Sequence, residues 1–280
     1  MKDLQNKVAA VTGAASGIGR MLAVHLAEQG CHLAISDVDE AGLQQTASMI
    51  NNNGMKVTTH VIDVADREQV YAYARDVVDR HGCVHILINN AGVVVTDTVE
   101  DVCYEDFEWI MGINLWGVVY GCKAFLPHLK EQKEAHIVNI SSVNGIFTNP
   151  NNGPYCTTKF AVRGFTETLC QELKKSTVRV TCVHPGGIST NIVRNARFYK
   201  AVDPDMDHSN TIDVFDRFIA HTTADKAARI IISGIRKNKH RIMVGPDAYV
   251  YDWLKRLFPV GLQRLVASFQ KAPRVRGKTK

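Results

Sequence analysis

Tyr155 and Lys159 are the pair of residues whose types and spacing most directly suggest chemistry in this chain. Residues four positions apart share one face of a helix, with Cβ atoms about 5–6 Å apart. Because an ammonium group at that distance favours the phenolate, we expect Lys159 to lower the pKa of Tyr155 from its usual value of about 10. Such a tyrosine can give or take a proton near neutral pH. Taken alone, the spacing also fits two ordinary helix-surface residues.

The elements that must position this pair alternate along the chain between strand-like and helix-like patterns. The predicted strands are residues 8–11, 32–36, 57–62, 84–88, 136–140, 178–183 and 240–244. The predicted helices are residues 18–29, 40–50, 66–80, 105–129, 154–174 and 223–236, with a turn at 51–54 and irregular or short-helical chain at 187–222. This alternation predicts an α/β fold, with one doubly wound parallel sheet of about seven strands and helices on both faces.

Composition favours a folded protein in a reducing compartment. Of the 280 residues, 45% are hydrophobic and 22% are charged, which supports one large core and argues against disorder. The seven cysteines are scattered without a CxxC pair, so we predict a cytoplasmic protein with neither a disulfide framework nor a metal site. The chain opens without a signal-peptide pattern, and its longest nearly apolar run, 113–122, is too short to span a bilayer.

A glycine-rich segment, residues 12–19, joins the first predicted strand to the first predicted helix. Glycines permit a tight turn there, and they let backbone amides approach a pyrophosphate at the positive end of the helix. The GxxxGxG spacing is weak as a bare pattern but specific at this place in a βαβ unit. The predicted cofactor-binding residues of the turn are Gly13, Ser16, Gly17, Ile18 and Gly19.

Asp37 closes the second predicted strand, where its carboxylate can accept hydrogen bonds from both hydroxyls of an adenosine ribose. It would repel a 2′-phosphate, so the sequence predicts NAD(H) in preference to NADP(H); the alternative is a solvated loop aspartate. Asp63 and Val64 end the third strand and are predicted to reach the adenine edge, with a helix N-cap as the alternative. Small residues end the fourth strand, suited to close cofactor approach or to a structural turn: Asn90, Ala91 and Gly92.

In this order, the motifs resemble those of the short-chain dehydrogenase/reductase family. The resemblance covers residues 6 to about 245 and rests on the segment 12–19, Asn89-Asn90-Ala91-Gly92, Asn114, Ser142, Tyr155, Lys159 and Pro185-Gly186. It implies a Rossmann-type fold, usually assembled as a homodimer or homotetramer. It also implies an enzyme that interconverts a hydroxyl and a carbonyl group with a hydride-carrying nicotinamide cofactor.

The resemblance also assigns roles to individual residues. Tyr155 would exchange a proton with the substrate oxygen, while Lys159 would lower its pKa and bind the nicotinamide ribose. Ser142 would stabilise the substrate oxygen, and Asn114 would hold a water that links Lys159 to solvent. The residues that match the family's nicotinamide-contacting loop are Pro185, Gly186, Ile188 and Thr190.

Residues next to the proposed catalytic ones are interpreted as weaker candidates or as structural. Ser141 is the weaker alternative to Ser142, and His184 is interpreted as a packing residue rather than a catalytic one. The remaining histidines have no metal-ligand spacing.

Apolar residues are concentrated in the segments that would flank the nicotinamide. These are residues 93–95, Val143, Ile146, Phe147 and much of 188–218, including Ile192, Val193, Phe198, Tyr199 and Met206. They predict a lipophilic pocket for a secondary alcohol or ketone, or a primary alcohol or aldehyde, of the steroid, retinoid, fatty or aryl class. The alternative is that they only pack a covering helix.

The end of the chain is predicted to be a basic, amphipathic helical extension. We therefore divide the chain into a catalytic domain, 1–246, which includes the substrate loop 187–222, and an extension, 247–280. Residues 253–280 hold eight Lys or Arg and no Asp or Glu, and an apolar stripe runs along Leu262, Leu265, Val266 and Phe269. The extension either packs on the body or a sister subunit, or attaches the protein peripherally to an anionic membrane. Few aromatic residues accompany the basic ones, so no nucleic-acid partner is predicted.

Two other functions compete with an alcohol–carbonyl oxidoreductase. A non-catalytic dinucleotide-binding scaffold would account for the glycine-rich turn, but the intact set of catalytic residues speaks against it. A 3-oxoacyl-type reductase belongs to the same family. Asp37 and the extension disfavour it, since such enzymes usually use NADPH and end sooner.

Overall fold

The seven predicted strands form one parallel sheet. The computed structural model describes residues 1–50, 54–201, 203 and 206–268. The strands are β1 (Val8–Thr12), β2 (His32–Asp37), β3 (Val57–Val61), β4 (Ile86–Asn89), β5 (Ala135–Ile140), β6 (Val178–Pro185) and β7 (Arg241–Val244). They lie in the order β7-β6-β5-β4-β1-β2-β3, and each neighbouring pair is parallel. Strand order reverses between β1 and β4, which places a ligand crevice at their carboxyl ends.

Helices cover both faces of this sheet. They are α1 (Gly17–Glu28), α2 (Glu40–Met49), α3 (Arg67–His81), α4 (Tyr104–Met111), α5 (Gly117–Lys130), α6 (Gly153–Glu172), α7 (His208–Val214), α8 (Ala224–Arg236), α9 (Pro246–Leu257) and α10 (Gly261–Ser268). Alternate residues of β1 point to opposite faces: Ala9 and Val11 join the core under α1, α2 and α8, while Val8 and Ala10 join the core under α3, α5 and α6. The predicted doubly wound α/β fold is confirmed.

The long helix predicted at 105–129 is interrupted. A π-helical turn, Gly112–Trp116, separates α4 from α5 and contains the fully buried Asn114. The whole stretch Tyr104–Lys130 is long and apolar enough to cross a membrane by length and composition alone. It instead packs against α3 and α6 within the domain, as the core helix of a folded protein does.

The substrate loop, 187–222, contains more structure than predicted. Besides α7 and a π-helical turn at Phe215–Ile219, it forms two short parallel pairings: Arg197–Phe198 with Val95–Thr96 outside the loop, and Ile188–Ser189 with Thr222–Thr223. Arg197 donates a hydrogen bond to Asp106 of α4 at 2.6 Å, and its guanidinium lies 3.6 Å from the ring centroid of Trp109. These contacts fasten the loop over the carboxyl end of the sheet.

The described part of the extension packs on the body beside residues 143–147. Phe147 stacks on Tyr251 with ring centroids 4.1 Å apart, and Ala248 and Leu262 are buried in the same cluster. Of the alternatives for the extension, packing on the body is therefore observed for α9 and α10. Phe269, the Leu265 side chain and residues 51–53 of the predicted turn lie outside the described residues.

Candidate active site

The glycine-rich turn between β1 and α1 forms a cradle that only small residues can line. Gly13 and Gly17 have φ angles of +66° and +55°, which favour glycine over residues with a Cβ atom. A Cβ atom on Gly19 would lie 2.0 Å from the carbonyl oxygen of Gly13. Ser16 is exposed at the N-terminus of α1, and its side chain makes no capping hydrogen bond. Backbone amides and a hydroxyl are thus available at the positive end of the helix, which fits a pyrophosphate.

The segment after β4 is fixed to this turn by Asn90 and Thr12. The Asn90 side-chain amide donates to the carbonyl oxygens of Thr12 and Gly13, both at 3.0 Å. The Thr12 hydroxyl accepts from the backbone amides of Asn90 and Ala91 at 3.0 and 3.1 Å. The predicted contacts at Asn90, Ala91 and Gly92 therefore flank the cradle. The structural-turn interpretation of the segment also applies, because Asn90 ties the two loops together.

Asp37 lies at the same edge of the sheet. Its carboxylate accepts from the Ala15 amide at 2.9 Å and from the Asp39 amide at 3.2 Å. These bonds hold the carboxylate against the cradle, so it is not a freely solvated loop residue. Asp63 accepts from the Ala65 amide, whereas Asp66 caps α3 by accepting from Gln69. The N-cap alternative for Asp63 is therefore wrong.

The α6 helix begins with Pro154 in its first turn and carries Tyr155 and Lys159 on one face. The Lys159 Nζ atom lies 5.7 Å from the Tyr155 ring centroid. It donates to the carbonyl oxygen of Ile140 at 3.0 Å, at the end of β5. Burial lowers the pKa of Lys159 to about 8, because desolvation penalises the charged ammonium.

The pKa of Tyr155 is raised by the surrounding protein and not lowered as predicted. Burial raises the pKa of Tyr155 to about 12, although the residue retains some exposed surface. A hydrogen bond with the Ser142 hydroxyl acts in the opposite direction and lowers that pKa. The expectation is wrong because burial penalises the charged phenolate, while the Lys159 ammonium is directed to the carbonyl oxygen of Ile140.

Ser142 lies at the end of β5, where the chain turns towards residues 143–145. It is 8% exposed, and its hydroxyl accepts from the Asn144 amide at 3.1 Å. Ser141 has a structural role, since its hydroxyl donates to the carbonyl oxygen of Lys159 at 2.8 Å. The structure thus brings Ser142, and not Ser141, to the phenol of Tyr155.

His184 has a closer connection to the site than packing alone. Its Nδ1 atom lies 3.0 Å from the carbonyl oxygen of Ser142, which can only accept, so Nδ1 carries a proton. Burial lowers the pKa of His184 to about 4, and the ring is therefore neutral at physiological pH. Through this bond β6 fixes the backbone of Ser142. The sequence signal was its place directly before Pro185-Gly186.

Asn114 reaches the site from the π-helical turn. Its side-chain oxygen accepts from the Val93 amide at 2.8 Å. Its side-chain nitrogen donates to the Val93 carbonyl oxygen at 2.9 Å and to the Thr158 hydroxyl at 3.1 Å. A Cβ atom on Gly92 would lie 3.2 Å from Asn114 Oδ1 and 3.3 Å from Lys159 Nζ. Asn114 and Lys159 are therefore neighbours on either side of Gly92, as a relay between them requires.

The loop after β6 completes the site. Pro185 pairs with Val244 of β7, and Thr190 contacts the cradle, since its Cγ2 atom lies 3.2 Å from where a Cβ of Gly17 would be. The Gly187 amide donates to Asp247 at 2.7 Å. Sequence reasoning missed Asp247, which lies in the extension, far along the chain from the other motifs.

Among the described residues, no cluster of three or more His, Cys, Asp or Glu side chains has the arrangement of a metal site. The seven cysteines, all within the described part of the chain, are free thiols.

Comparisons with known proteins agree with this geometry. A family model described as short chain dehydrogenase matches residues 7–200. SadH of Mycobacterium tuberculosis, named as an oxidoreductase, is 44% identical over 270 residues, which are 96% of each chain. Human estradiol 17-beta-dehydrogenase 11 is 34% identical over 197 residues, covering 69% of this chain and 66% of that protein.

Solved structures extend the likeness to the fold. A short-chain dehydrogenase/reductase from Burkholderia phymatum, crystallised in complex with NAD, superposes with a TM-score of 0.84 at 30% identity. That superposition covers 98% of this chain and 99% of the other. The chain belongs to the short-chain dehydrogenase/reductase family. It is an oxidoreductase of the class that binds a nicotinamide dinucleotide, and the glycine-lined cradle fits that group.

Proposed function

We propose that the protein is an NAD(H)-dependent oxidoreductase that interconverts a secondary alcohol and a ketone, or a primary alcohol and an aldehyde, on a lipophilic substrate. The observation that carries the proposal is the hydrogen-bonded pair of Ser142 and Tyr155, with Lys159 one helical turn behind the phenol. The two hydroxyls converge on one place at the carboxyl end of the sheet. A substrate oxygen bound there would contact both.

The proposed chemistry divides between the cofactor and the chain. A bound nicotinamide dinucleotide supplies or accepts the hydride. In the reductive direction, Tyr155 gives its phenolic proton to the substrate oxygen, and Ser142 donates a hydrogen bond that stabilises the developing negative charge. The Lys159 ammonium stabilises the resulting phenolate, and Asn114 holds a water that returns a proton from solvent. Oxidation reverses these proton movements.

The proposed residues for holding the dinucleotide follow from their places around the cradle. They are Gly13, Ser16, Gly17, Ile18, Gly19, Asp37, Asp63, Val64, Asn90, Ala91, Gly92, Tyr155, Lys159, Pro185, Gly186, Ile188 and Thr190. Asp37 would accept hydrogen bonds from the adenosine ribose and repel a 2′-phosphate. Its fixed orientation against the Ala15 amide supports a preference for NAD(H) over NADP(H).

The lipophilic substrate is supported by the walls of the site. Val94 is 9% exposed, whereas Val143, Ile146 and Phe147 are buried in the cluster that α9 and α10 cover and border the site next to Ser142. The substrate loop above them adds half-buried apolar residues, which are Ile192, Val193, Phe198 and Met206. The likeness to estradiol 17-beta-dehydrogenase 11 supports a hydrophobic alcohol such as a steroid, and retinoid, fatty and aryl alcohols fit the same walls.

A substrate screen tests the proposal. Purified protein is mixed with NAD⁺ and steroid, retinoid, long-chain secondary or aryl alcohols, and NADH formation is followed by absorbance. We expect turnover of at least one class, and none with Tyr155→Phe. A protein that binds NADH but turns over no alcohol or ketone would point to a scaffold. Turnover confined to 3-oxoacyl thioesters with NADPH would point to the 3-oxoacyl-type reductase.

The extension supports a proposed location in the cytoplasm with peripheral membrane contact. One face of α9 leaves apolar residues more than half exposed, namely Tyr249, Val250, Trp253 and Leu257. Arg256 and Arg264 are exposed nearby, and five further Lys or Arg follow residue 268. An apolar face beside cationic side chains suits an anionic lipid surface, which could also deliver a lipophilic substrate.

Vesicle flotation tests this contact. We expect binding to phosphatidylcholine vesicles that contain phosphatidylserine, loss of binding with Trp253→Ser/Leu257→Ser, and no binding without the anionic lipid. If the double variant instead dissociates a homodimer or homotetramer, measured by light scattering, the face is covered by a sister subunit and the membrane contact is refuted.

A further inference from the structure

Asp247, in the first turn of α9, is bound to the loop after β6, which precedes it in the chain by 60 positions. Its Oδ2 atom accepts from the Gly187 amide at 2.7 Å. A Cβ atom on Gly186 would lie 2.0 Å from the same oxygen, so the carboxylate is pressed against the Gly186 backbone. The carboxylate thus contacts two consecutive residues of the loop after β6.

The fold brings Asp247 to this place by a short path. Strand β7 pairs with β6 up to Val244 and Pro185, and the Gly186 amide donates to the Val244 carbonyl oxygen at 2.9 Å. Gly245 then turns the chain with a φ angle of +97°, which glycine adopts readily. Pro246 starts α9, and the carboxylate of Asp247 lies at the positive end of that helix, where negative charge is stabilised.

This contact differs from an ordinary helix cap. Asp39 and Asp66 accept from Gly42 and Gln69, amides of the helices that they begin. Asp247 accepts from an amide of another element, and its own helix has no side-chain cap. Its hydrogen bond therefore fixes the loop rather than α9.

The loop that Asp247 holds also reaches the dinucleotide cradle. Its other side is tied by a hydrogen bond from the Thr222 amide to the Gly187 carbonyl oxygen at 3.3 Å. Further along, the Thr190 Cγ2 atom lies 3.2 Å from the position that a Cβ atom on Gly17 would occupy, so Thr190 borders the cradle. A shift at residues 186–187 would therefore be transmitted to the residues proposed to face the nicotinamide, Ile188 and Thr190.

We propose that Asp247 is a positioning residue for the nicotinamide half of the cofactor site, an inference that rests on the proposed function. It acts through the Gly186–Gly187 backbone and touches neither substrate nor cofactor. The C-terminal extension thereby contributes to cofactor binding. Loss of the carboxylate weakens binding of the complete dinucleotide, but it leaves binding of the adenosine half unchanged.

The experiment compares two ligands by isothermal titration calorimetry: NADH, and ADP-ribose, which lacks the nicotinamide ring. Asp247→Ala and Asp247→Ser both remove the contact, because the serine hydroxyl is one bond too short to replace the carboxylate. Asp247→Asn keeps an oxygen acceptor for the Gly187 amide. Asp252→Ala is the matched control on the same helix, since Asp252 binds Arg241 and Arg256 and makes no contact with the loop.

We expect the dissociation constant for NADH to rise about tenfold in Asp247→Ala and Asp247→Ser, as loss of a hydrogen bond to a charged group allows. ADP-ribose should bind within about twofold of wild type, and Asp247→Asn and Asp252→Ala should bind both ligands nearly normally. Unchanged NADH binding, or an equal loss for both ligands, would overturn the positioning role alone. Wild-type protein that binds neither ligand would overturn the proposed function together with this inference.

Discussion

The Nζ atom of Lys159 lies 5.7 Å from the ring centroid of Tyr155. This distance brings the positive charge within electrostatic range of the phenol, but the ammonium proton is donated elsewhere, to the end of β5. Ser142, which has a hydrogen bond with the Tyr155 hydroxyl, is the chain's direct means of favouring the phenolate. In the proposed mechanism the three side chains therefore act together, with Ser142 contacting the phenol and Lys159 supplying positive charge nearby.

Replacing Tyr155 by phenylalanine removes the only hydroxyl proposed to exchange a proton with substrate. We expect the turnover number to fall by about 10³-fold or more, because general acid–base catalysis contributes on that scale. NADH binding should stay within about threefold of wild type, since the ring remains in place. Steady-state kinetics and calorimetry check the two quantities, and a variant that keeps most of its turnover would refute the role.

Asp37 offers a clean test of cofactor choice. Asp37→Asn keeps an oxygen that can accept from the Ala15 amide at 2.9 Å, yet it removes the negative charge. We expect the ratio of kcat/KM for NADPH to that for NADH to rise at least about tenfold, because repulsion of a 2′-phosphate disappears.

Asp39→Asn is the matched control for this prediction, since Asp39 is exposed and caps α2. The ratio should be unchanged in that variant. A wild-type enzyme that already prefers NADPH would contradict the role of Asp37.

Lys159 is predicted to cost stability while it serves catalysis. Burial lowers its pKa from 10.5 to about 8, so below pH 8 the folded protein must hold a desolvated ammonium. Lys159→Met should therefore raise the free energy of unfolding at pH 7, by about 1–3 kcal/mol, while abolishing turnover. Between pH 8 and 10.5 the unfolded chain keeps a proton that the folded chain has released, so the wild type recovers stability as pH rises.

Urea denaturation of wild type and Lys159→Met at pH 7 and pH 10 measures this difference. The advantage of the variant should shrink at the higher pH. Because both proteins share the same cysteines and tyrosines, their titrations cancel in the comparison. A variant less stable than wild type at both pH values would show that the hydrogen bond to Ile140 outweighs desolvation.

Two glycines should respond in opposite ways to the same substitution. Gly19→Ala would place a Cβ atom 2.0 Å from the Gly13 carbonyl oxygen, so we expect a loss of about 2 kcal/mol or more and impaired NADH binding. Gly164 is exposed within α6 and has nothing within 4 Å of a built Cβ, so Gly164→Ala should stabilise the protein by about 0.5–1 kcal/mol. Chemical denaturation measures the free energy of unfolding of both variants. Equal changes in the two variants would contradict the prediction.

The fold could be predicted from sequence because its signals are local. Apolar runs such as β4 and the helical spacing of α1 do not depend on distant contacts, and their order fixes the sheet. The site residues at strand ends followed from the same logic, since Asp37 ends β2 and Asn90 directly follows β4. What these residues bind, and with which preference, stays a prediction.

The errors concern properties that emerge only after packing. The pKa of Tyr155 depends on how much water its surroundings exclude, which a four-residue spacing does not reveal. The π-helical turn around Asn114 has no pattern that differs from an ordinary helix. Asp247 is 60 positions from Gly187 and could not be connected to it without the pairing of β6 and β7.

The π-helical turn Gly112–Trp116 has one further consequence. A π turn contains one residue more than the α-helical turn that it replaces. It persists where the contacts of its side chains stabilise the fold by more than the weaker helical hydrogen bonds cost. Removing one residue of this turn would let α4 and α5 join in a regular α-helix, and the widened turn that now holds Asn114 would be lost. The contacts of Asn114 with Val93 and Thr158 thus depend on the length of this turn, so a one-residue deletion that spares Asn114 itself would still disturb them.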